Sequence, residues 1–415
     1  MQDNARYAVG IDIGTTTVRC VVGHIDTSTG IPTIVGIGEA SSTGMRKGTI
    51  ANLQGPADAI DTALGEAERM SGFEVDEATL SVNGAHILST KADGMIAVGA
   101  MDHEISQQDL GRVEEVATIG KVPPNREILE VVPFSYRLDG QENIKDPLGM
   151  TGTRLEITAN VVSALTPNME NLRRAAESAK VVPHSVVASV LAAAKAVLSE
   201  SQLESGVAVV DMGGATTSVA IFEEGDLQHV GVIPIGGIQV TNDLAIGLKT
   251  DPDVAEDVKK KHASATPRSE NEGVSVKQGD DVVSFQTEDI DEIVLARLEE
   301  IFEAVQDELK RAGRAGQLPS GVVLTGGAAN LSGMTSFVRD ALGVAARIGK
   351  PSGFSGVDDR VMSPQYACAV GLMFVDMDET RRTNVRSKSA IHSGTTPSVK
   401  PLFQAVQNVF KKFKS

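Results

Sequence analysis

The sequence of 415 residues contains very little cysteine and no long apolar run. Cys20 and Cys368 are the only cysteines, so a disulfide framework and a zinc site made of cysteine alone are excluded, and a reducing compartment is favoured. Since no stretch of about 18 apolar residues occurs, we expect no segment that spans a bilayer. The first residues, MQDNARYAVG, lack the basic start and the apolar run of a signal peptide, so we expect none.

Several familiar site patterns are also missing. The seven histidines show neither H-x-x-x-H nor H-E-x-x-H spacing, which argues against a metal site made of histidine. There is no G-x-x-x-x-G-K-[ST] loop, and Gly36-Ile37-Gly38 lacks the third glycine of a dinucleotide turn. A phosphate-containing ligand would therefore need a different binding motif.

Acidic residues are missing from one end of the chain. The whole sequence carries −17, yet residues 381–415 contain eight Lys or Arg and no Asp or Glu, and the first 380 residues carry 30 basic against 55 acidic side chains. The tail is thus +8 and the body −25. The acidic body argues against a general nucleic-acid binder, and the basic tail predicts contact with an anionic surface.

Length and composition indicate several globular domains. The chain is 41% hydrophobic and 22% charged, and a single core stops growing near ~250–300 residues. Strand-like runs at 7–13, 18–25 and 32–38, then a helix pattern ending near Gly72, predict an α/β domain over 1–84 that is completed by about 361–375.

The remaining domains follow in order. Residues 85–163 predict an inserted α+β subdomain that begins with a strand pair around Asp93-Gly94. We expect helices at 168–180 and 185–198, a second α/β domain over 164–245 completed by about 317–360, and a mostly helical subdomain over 246–316. The Arg-, Ser-, Thr- and Pro-rich residues 376–400 predict a flexible linker before a terminal segment, 401–415.

An approximate internal repeat is the most informative feature. VGIDIGTTTVRCVVG (9–23) and AVVDMGGATTSVAIF (208–222) share an apolar strand, an aspartate, a glycine-containing turn and a second apolar strand. Such a turn exposes N–H groups and hydroxyls that can hold phosphate oxygens, and Asp12 and Asp211 can orient Mg²⁺ through water. Two facing hairpins would clamp a triphosphate.

Three further elements fit a nucleotide. At Gly326-Gly327 a backbone without Cβ atoms can pass close to an adenine or a ribose, and Gly236-Gly237 forms another glycine turn. Glu256 and Lys259 are three residues apart on a predicted helix and so share a face. The Glu256 carboxylate can accept hydrogen bonds from ribose hydroxyls beside the base.

In this order the elements resemble the actin, sugar-kinase and Hsp70 ATPase superfamily, and residues 6–375 resemble the bacterial cell-division actin family FtsA. The motifs that carry the resemblance include DIGTTTV (12–18), KDPLGMTG (145–152), VVDMGGATTSVAIF (209–222) and LTGGAANLSGM (324–334). The resemblance implies an actin-like two-lobed α/β ATPase fold with the inserted subdomain and a C-terminal amphipathic helix. It also implies an ATP-binding protein that polymerises on the cytoplasmic side of the cell membrane at the septum.

The resemblance assigns the site residue by residue. Phosphate and Mg²⁺ contacts fall on Asp12, Gly14, Thr15, Thr16, Asp211, Gly213, Gly214 and Thr216, and ribose and base contacts fall on Glu256, Lys259, Gly326, Gly327 and Ala328. Ala215 stands where many relatives carry a third glycine, so the loop geometry there stays open, since alanine avoids positive φ. No His or Gln base is evident near either hairpin, which predicts slow hydrolysis at most.

Partners are likewise implied by the resemblance. Residues 246–316 are expected to receive the C-terminal peptide of the tubulin homologue FtsZ, with Arg297, Lys310 and Arg311 available to an acidic peptide. Self-association into filaments and contacts with other divisome proteins are also implied. The acidic run 288–292 is expected to begin a helix.

The last segment predicts a membrane-binding helix. Its apolar residues follow one helical face, and lysines flank that face, as in an in-plane anchor on anionic lipid. The apolar set is Leu402, Phe403, Val406, Val409, Phe410 and Phe413, and the lysines are Lys411, Lys412 and Lys414. A helix docked on its own domain is the alternative.

Other functions remain open on sequence alone. A small-molecule kinase of the same superfamily would have no evident use for the linker and the basic helix. A pilus-assembly or chaperone-type ATPase module shares the fold, but a chaperone would carry a β-rich domain after the ATPase, and no such pattern follows Leu372.

Overall fold

The structure is a computed structural model that describes residues 6–25, 30–99, 103–279, 281–356 and 358–389. In chain order its strands are β1 (Arg6–Ile13), β2 (Thr17–Ile25), β3 (Pro32–Ser41), β4 (Met45–Arg46), β5 (Thr49–Ile50), β6 (Glu77–Val82), β7 (Leu88–Ala97), β8 (Arg126–Leu138), β9 (Gln141–Ile144), β10 (Arg154–Leu165), β11 (Val182–Ala188), β12 (Val207–Met212), β13 (Thr217–Glu223), β14 (Asp226–Ile233), β15 (Gly273–Gln278), β16 (Asp281–Gln286), β17 (Val322–Thr325) and β18 (Ala346–Ile348). The helices are α1 (Gln54–Ser71), α2 (Gln107–Thr118), α3 (Thr166–Ser178), α4 (Ser189–Val197), α5 (Glu200–Ser205), α6 (Gly237–Gly247), α7 (Pro252–His262), α8 (Thr287–Arg311), α9 (Met334–Leu342) and α10 (Ala367–Ser389).

Two five-stranded sheets have the same topology. The first has the order β11-β6-β1-β2-β3 and the second the order β14-β13-β12-β17-β18. In each sheet an antiparallel meander of three strands is extended by two parallel strands, because β1 pairs with β6 as β12 pairs with β17. The internal repeat of the sequence is therefore a repeat of structure.

Helices α4 and α10 connect the two sheets. Helix α10 packs on β1 and α4, and α4 also contacts β12 and β13 of the second sheet. The crossing of the helices is close: a Cβ atom on Gly371 would lie 1.8 Å from the carbonyl oxygen of Ala192. One core consequently runs from α1 through the first sheet to one face of the second sheet.

The other face of the second sheet has its own core under α6, α7, α8 and α9. Helix α8 begins with Glu288 and Asp289 in its first turn, which confirms the helix start expected at the acidic run, since carboxylates favour the positive end of a helix dipole. The polar segment before it forms a hairpin of β15 and β16.

The inserted residues form a separate four-stranded sheet, β7-β10-β8-β9, with α2 packed on β7 and β10. The expected strand pair around Asp93-Gly94 is wrong: β7 runs unbroken from Leu88 to Ala97. Gly94 lies in mid-strand because α2 crosses there, and a Cβ atom on it would be 2.6 Å from the carbonyl oxygen of Val113.

The structure also differs from the expected start of the second α/β domain at 164. Residues 182–188 form β11, which pairs in parallel with β6 of the first sheet, so the first four residues of the expected helix 185–198 are strand, and α4 begins only at Ser189. Val186 and Val187 are β-branched and suit a strand, here at the edge of the sheet next to β6. The second sheet starts only at Val207.

The chain after residue 375 is helical for longer than expected. Helix α10 continues to Ser389, so the first part of the predicted linker 376–400 is helix, and Asp376, Met377 and Asp378 are buried. The rest of that linker and the predicted terminal helix 401–415 lie outside the described residues. Among the helices of the described part, none is both long enough and apolar enough to cross a membrane.

Candidate functional site

The two hairpins of the repeat have the same turn. Asp12 of β1 pairs with Arg19, and Asp211 of β12 pairs with Ser218, seven residues further on in both cases. The turn closes in the same way, because the N–H of Gly14 donates to the oxygen of Thr17 (3.1 Å) as that of Gly213 donates to Thr216 (2.8 Å). The sequence repeat thus gives two turns with the same register and the same closing hydrogen bond.

Ala215 does not distort the second turn. It is buried and lies outside the positive-φ region, as do Gly213 and Gly214, so its backbone conformation suits an alanine. Glycine is needed at position 214 of this turn because a side chain there would have no room. A Cβ atom on Gly214 would lie 2.7 Å from Cγ2 of Thr16, so the tips of the two hairpins abut.

The two aspartates lie behind the tips. Asp12 accepts a hydrogen bond from Ser81 Oγ (2.8 Å), and Asp211 accepts one from Thr325 Oγ1 (3.1 Å). Asp211 is only 8% exposed. Burial, together with the charge of Asp12, raises the pKa of Asp211 to about 7. A buried carboxylate that faces a second one is the environment a cation would stabilise.

The donor set therefore fits a magnesium ion held mainly by a bound ligand. The described residues contain no group of three or more His, Cys, Asp or Glu side chains arranged to hold a metal. Mg²⁺ keeps several waters and commonly takes one or two carboxylates plus substrate phosphates. Asp12 and Asp211 would supply the carboxylates.

Gly326 and Gly327 form the turn after β17. Gly326 has φ of 85°, and a Cβ atom there would lie 2.4 Å from the oxygen of Met212, so only glycine fits. Gly327 has no neighbouring atom within 4 Å of its Cβ position. The turn is thus packed on the second hairpin on one side and open on the other.

Gly236 and Gly237 lie after β14, at the start of α6, and pack on the second hairpin. The N–H groups of Gly237 and Ile238 donate to the oxygens of Gly213 (3.0 Å) and Gly214 (2.6 Å). A Cβ atom on Gly236 would lie 2.7 Å from the oxygen of Gly213. These first N–H groups of the helix hold the hairpin and are not free for a ligand.

Glu256 and Lys259 lie against that helix. Lys259 Nζ contacts Glu256 Oε2 (2.5 Å), the oxygen of Gly237 (3.0 Å) and Thr241 Oγ1 (2.8 Å). A Cβ atom on Gly237 would be 3.6 Å from both Lys259 Nζ and the Cβ of Ala328. The pair thus lies next to the Gly326–Ala328 turn.

Contacts therefore connect all five elements that the sequence singled out: the two hairpins, the Gly236 turn, the α7 pair and the Gly326 turn. Asp243, which follows the Gly236 turn on α6, forms a two-bond ion pair with Arg297 (2.5 and 3.0 Å).

Polar residues that the sequence reasoning missed also reach the site. They are Ser81 and Asn83 at the end of β6, Thr241 on α6 and Thr325 at the end of β17. Asn83 Nδ2 donates to Thr216 Oγ1 (3.0 Å), so it bridges the first sheet to the second hairpin. Polar residues at the carboxyl ends of parallel strands are the signal that would have found three of the four.

The cations expected to meet an acidic peptide are already paired. Arg297 contacts Asp243 and Glu300, Lys310 contacts Asp307 and Arg311 contacts Glu308. An acidic partner would have to compete with these carboxylates.

Comparison with known families gives two matches. Residues 208–371 match a model described as cell division protein FtsA, and residues 84–163 match the SHS2 domain inserted in FtsA. Over 380 residues the chain is 34% identical to cell division protein FtsA of Pseudomonas aeruginosa, covering 91% of this chain and 90% of the relative. It is 36% identical over 377 residues to that of Bacillus subtilis, covering 90% and 84%.

Solved structures show the same fold at low identity. The PilM–PilN type IV pilus biogenesis complex matches with a TM-score of 0.66 at 17% identity, covering 89% of this chain and 98% of that one. MreB 5 of Spiroplasma citri bound to AMPPNP gives 0.55 at 14% (92% and 99%), and the MamK double helical filament gives 0.50 at 12% (89% and 98%). The expected actin-like fold with its inserted subdomain is confirmed.

Proposed function

The chain belongs to the FtsA family of cell division proteins, and from that premise we propose that it binds Mg–ATP, assembles on the cytoplasmic side of the membrane at the septum and tethers the FtsZ ring. The observation that carries the nucleotide part is the pair of identical turns that abut at Thr16 and Gly214, with two carboxylates behind them. A triphosphate between the turns would meet N–H groups and hydroxyls from both lobes. An MreB relative of this fold was solved with AMPPNP.

The chain's own residues would each have a defined part. Thr15, Thr16 and Thr216 offer hydroxyls to phosphate oxygens, and Asp12 and Asp211 orient the metal, whose charge would offset that of the phosphates. The open side of Gly327 receives the base, while Glu256 and Lys259 border the ribose.

Calorimetry tests this part directly. We expect Mg–ATP to bind the wild type, and we expect Gly327→Trp to abolish binding while leaving the melting temperature unchanged, because a Cβ atom at this position meets no neighbouring atom within 4 Å. Gly65→Trp is the matched control, since its Cβ position on α1 is also open. Wild-type affinity in Gly327→Trp would remove the assignment.

Hydrolysis is proposed to be slow. The side chains placed at the second tip are hydroxyls, a carboxamide and a carboxylate that hydrogen-bond one another. The nucleotide would then act mainly as an assembly cofactor. A steady-state turnover above about 1 s⁻¹, the low end for ordinary enzymes, would contradict this.

The membrane part rests on sequence. Residues 401–415 carry six apolar side chains at helical spacing with flanking lysines. A single basic helix gains only about 1 kcal/mol of membrane binding per lysine on an anionic leaflet. Because a filament presents many such helices at once, avidity would strengthen the binding. Filament assembly is itself proposed from this fold, which MamK uses in a double helical filament.

Liposome co-sedimentation tests the anchor. Deletion of 401–415 or Phe410→Glu should release the protein from anionic vesicles. Gln404→Glu introduces the same charge on the opposite face of the predicted helix and should retain binding. If the truncated protein pellets as the wild type does, the tail is no anchor.

The FtsZ part concerns residues 246–316. Because Arg297, Lys310 and Arg311 are paired within the chain, we expect the FtsZ C-terminal peptide to bind with a modest salt dependence. Fluorescence anisotropy of that peptide with the full chain is the test, and no binding at low salt would exclude this partner.

A further inference from the structure

The inserted subdomain is attached to the first sheet by two chain segments, and the first of them contacts the second hairpin. The chain enters through residues 83–87, between β6 and β7, and leaves at the end of β10, where Leu165 pairs with Arg126. Asn83, the first residue of the entry, is also the residue that contacts Thr216.

Asn83 uses both ends of its amide at this point. Nδ2 donates to Thr216 Oγ1 (3.0 Å), while Oδ1 accepts from Ser218 Oγ (3.1 Å) and from the N–H of Gly84 (2.7 Å). A hydroxyl has one hydrogen and two lone pairs. A Thr216 that accepts from Asn83 can still donate its hydrogen to a phosphate oxygen, and the two bonds polarise each other favourably.

The chain of hydrogen bonds continues from Asn83 into the subdomain. His86 Nε2 lies 3.1 Å from the oxygen of Asn83, and because a carbonyl only accepts, the ring must carry its hydrogen on Nε2. Arg126 Nη2 then donates to the oxygen of His86 (2.5 Å) and to that of Ser163 (2.9 Å), and Arg126 Nε donates to Ser163 Oγ (3.0 Å). Arg126 thus clamps the entry segment to the exit strand.

The subdomain also rests on the second sheet at another point. Lys145 forms an ion pair with the buried Asp226, and Asn160 Nδ2 donates to the oxygen of Leu227 (3.2 Å). A shift of the second hairpin relative to the first sheet would therefore change contacts at both ends of the subdomain.

We propose that Thr216, Asn83, His86, Arg126 and Ser163 form a relay that couples occupancy of the phosphate site to the orientation of the inserted subdomain. The inference rests on the proposed nucleotide function. Phosphate binding at Thr216 strengthens its hydrogen bond to Asn83 and so fixes the entry segment. Arg126 transmits this restraint to β8 and β10. Asn83 and Arg126 are positioning residues, because they act through Thr216 and the backbone of the entry segment.

Hydrogen–deuterium exchange on the full chain tests the relay. Saturating Mg–AMPPNP should slow exchange in peptides 125–130 and 160–166 by about fivefold or more, the low end of ordinary allosteric coupling. Arg126→Gln should lose this slowing while calorimetry still detects nucleotide binding. A retained slowing in Arg126→Gln would overturn the relay.

Arg173→Gln is the matched control. Arg173 forms a two-bond pair with Glu127, the next residue of β8 (3.0 and 2.6 Å), so the same charge is removed beside the relay but not within it. This variant should keep the slowing. If it loses the slowing as Arg126→Gln does, any weakening of this edge is sufficient and the relay is overturned.

Two further readouts make the result decisive. If Arg126→Gln melts too low to assay, Asn83→Ala at saturating nucleotide should lose the slowing, and its retention would contradict the relay. If the wild type binds no Mg–ATP, the proposed function fails and the relay falls with it. If the wild type binds nucleotide but hydrogen exchange in these peptides is not slowed, the relay is overturned and the proposed function stands.

Discussion

The two hairpins share one sequence pattern and one turn, yet their surroundings differ. Thr16 at the first tip is exposed, whereas Thr216 at the second is 3% exposed and bonded to Asn83. The second hairpin is also covered by the backbones of the Gly236 and Gly326 turns. A repeated motif therefore indicates repeated geometry but not equal energetic importance, and we expect substitutions in the second hairpin to have the larger effects.

The largest effect is expected where the Gly326 turn packs on the second hairpin. Gly326→Ala places a Cβ atom 2.4 Å from the oxygen of Met212 at a φ of 85°. Positive φ and overpacking together should lower the free energy of unfolding by about 2–4 kcal/mol. Gly327→Ala has open space and should change it little. Chemical denaturation compares the two, and equal stabilities would contradict the packing described.

The next comparison is between the aspartates. Asp211→Asn removes a buried charge that faces Asp12, so the ligand-free protein should become more stable, while Mg–ATP binding should weaken by roughly 2 kcal/mol or more, about 30-fold in Kd. Asp12→Asn, at the less buried position, should change stability less. Thermal melts and calorimetry measure the two readouts. A fall in both stability and affinity for Asp211→Asn would indicate a structural role only.

The threonines sharpen the same contrast. Thr216→Val leaves the amide of Asn83 without its acceptor and should destabilise the fold by about 1–3 kcal/mol. Thr16→Val changes an exposed residue and should stay within about 0.5 kcal/mol, although it removes a hydroxyl available to phosphate. Urea denaturation is the measurement. A Thr16→Val variant as unstable as Thr216→Val would erase the difference between the tips.

The smallest effect is expected at Asp226, the first residue of β14. Burial raises the pKa of Asp226 to about 6, although Lys145 opposes the shift. The folded protein therefore holds this proton more tightly than the unfolded chain, so the carboxyl lowers stability as pH rises from about 4 through about 6. In urea melts, the stability of Asp226→Asn relative to the wild type should increase from about pH 4 to about pH 6 and then stay level. A difference in stability between the variant and the wild type that does not change from about pH 4 to about pH 6 would contradict the raised pKa of Asp226.

The sequence predicted those parts of the site whose residues are contiguous. Each hairpin contains its aspartate, glycine and threonines within a few positions, so the repeat was visible without a structure. Ser81, Asn83 and Thr325 were missed because they reach the hairpins only through the parallel pairing of β6 with β1 and of β17 with β12.

The errors in the fold have the same origin. Residues 185–188 were expected to be helical, but pairing with β6 makes them part of a strand, and Gly94 was expected in a turn, but it lies in mid-strand, where it allows α2 to cross. Helix α10 continues past 375 because Asp376 binds the N–H of Val9 (2.9 Å) and Thr79 Oγ1 (2.8 Å) in the first sheet. Local composition does not reveal such partners, because they are distant in the sequence.

A crystal structure of the full chain with Mg–AMPPNP tests the central claim most directly. We predict the phosphates between the turns that begin at Gly14 and Gly213, the metal beside Asp12 and Asp211, and the base over Gly327. Nucleotide density elsewhere, for example in the 240 Å³ cavity of the inserted subdomain lined by Asp93, Arg137 and Glu156, with the space between the hairpins empty, would contradict the account.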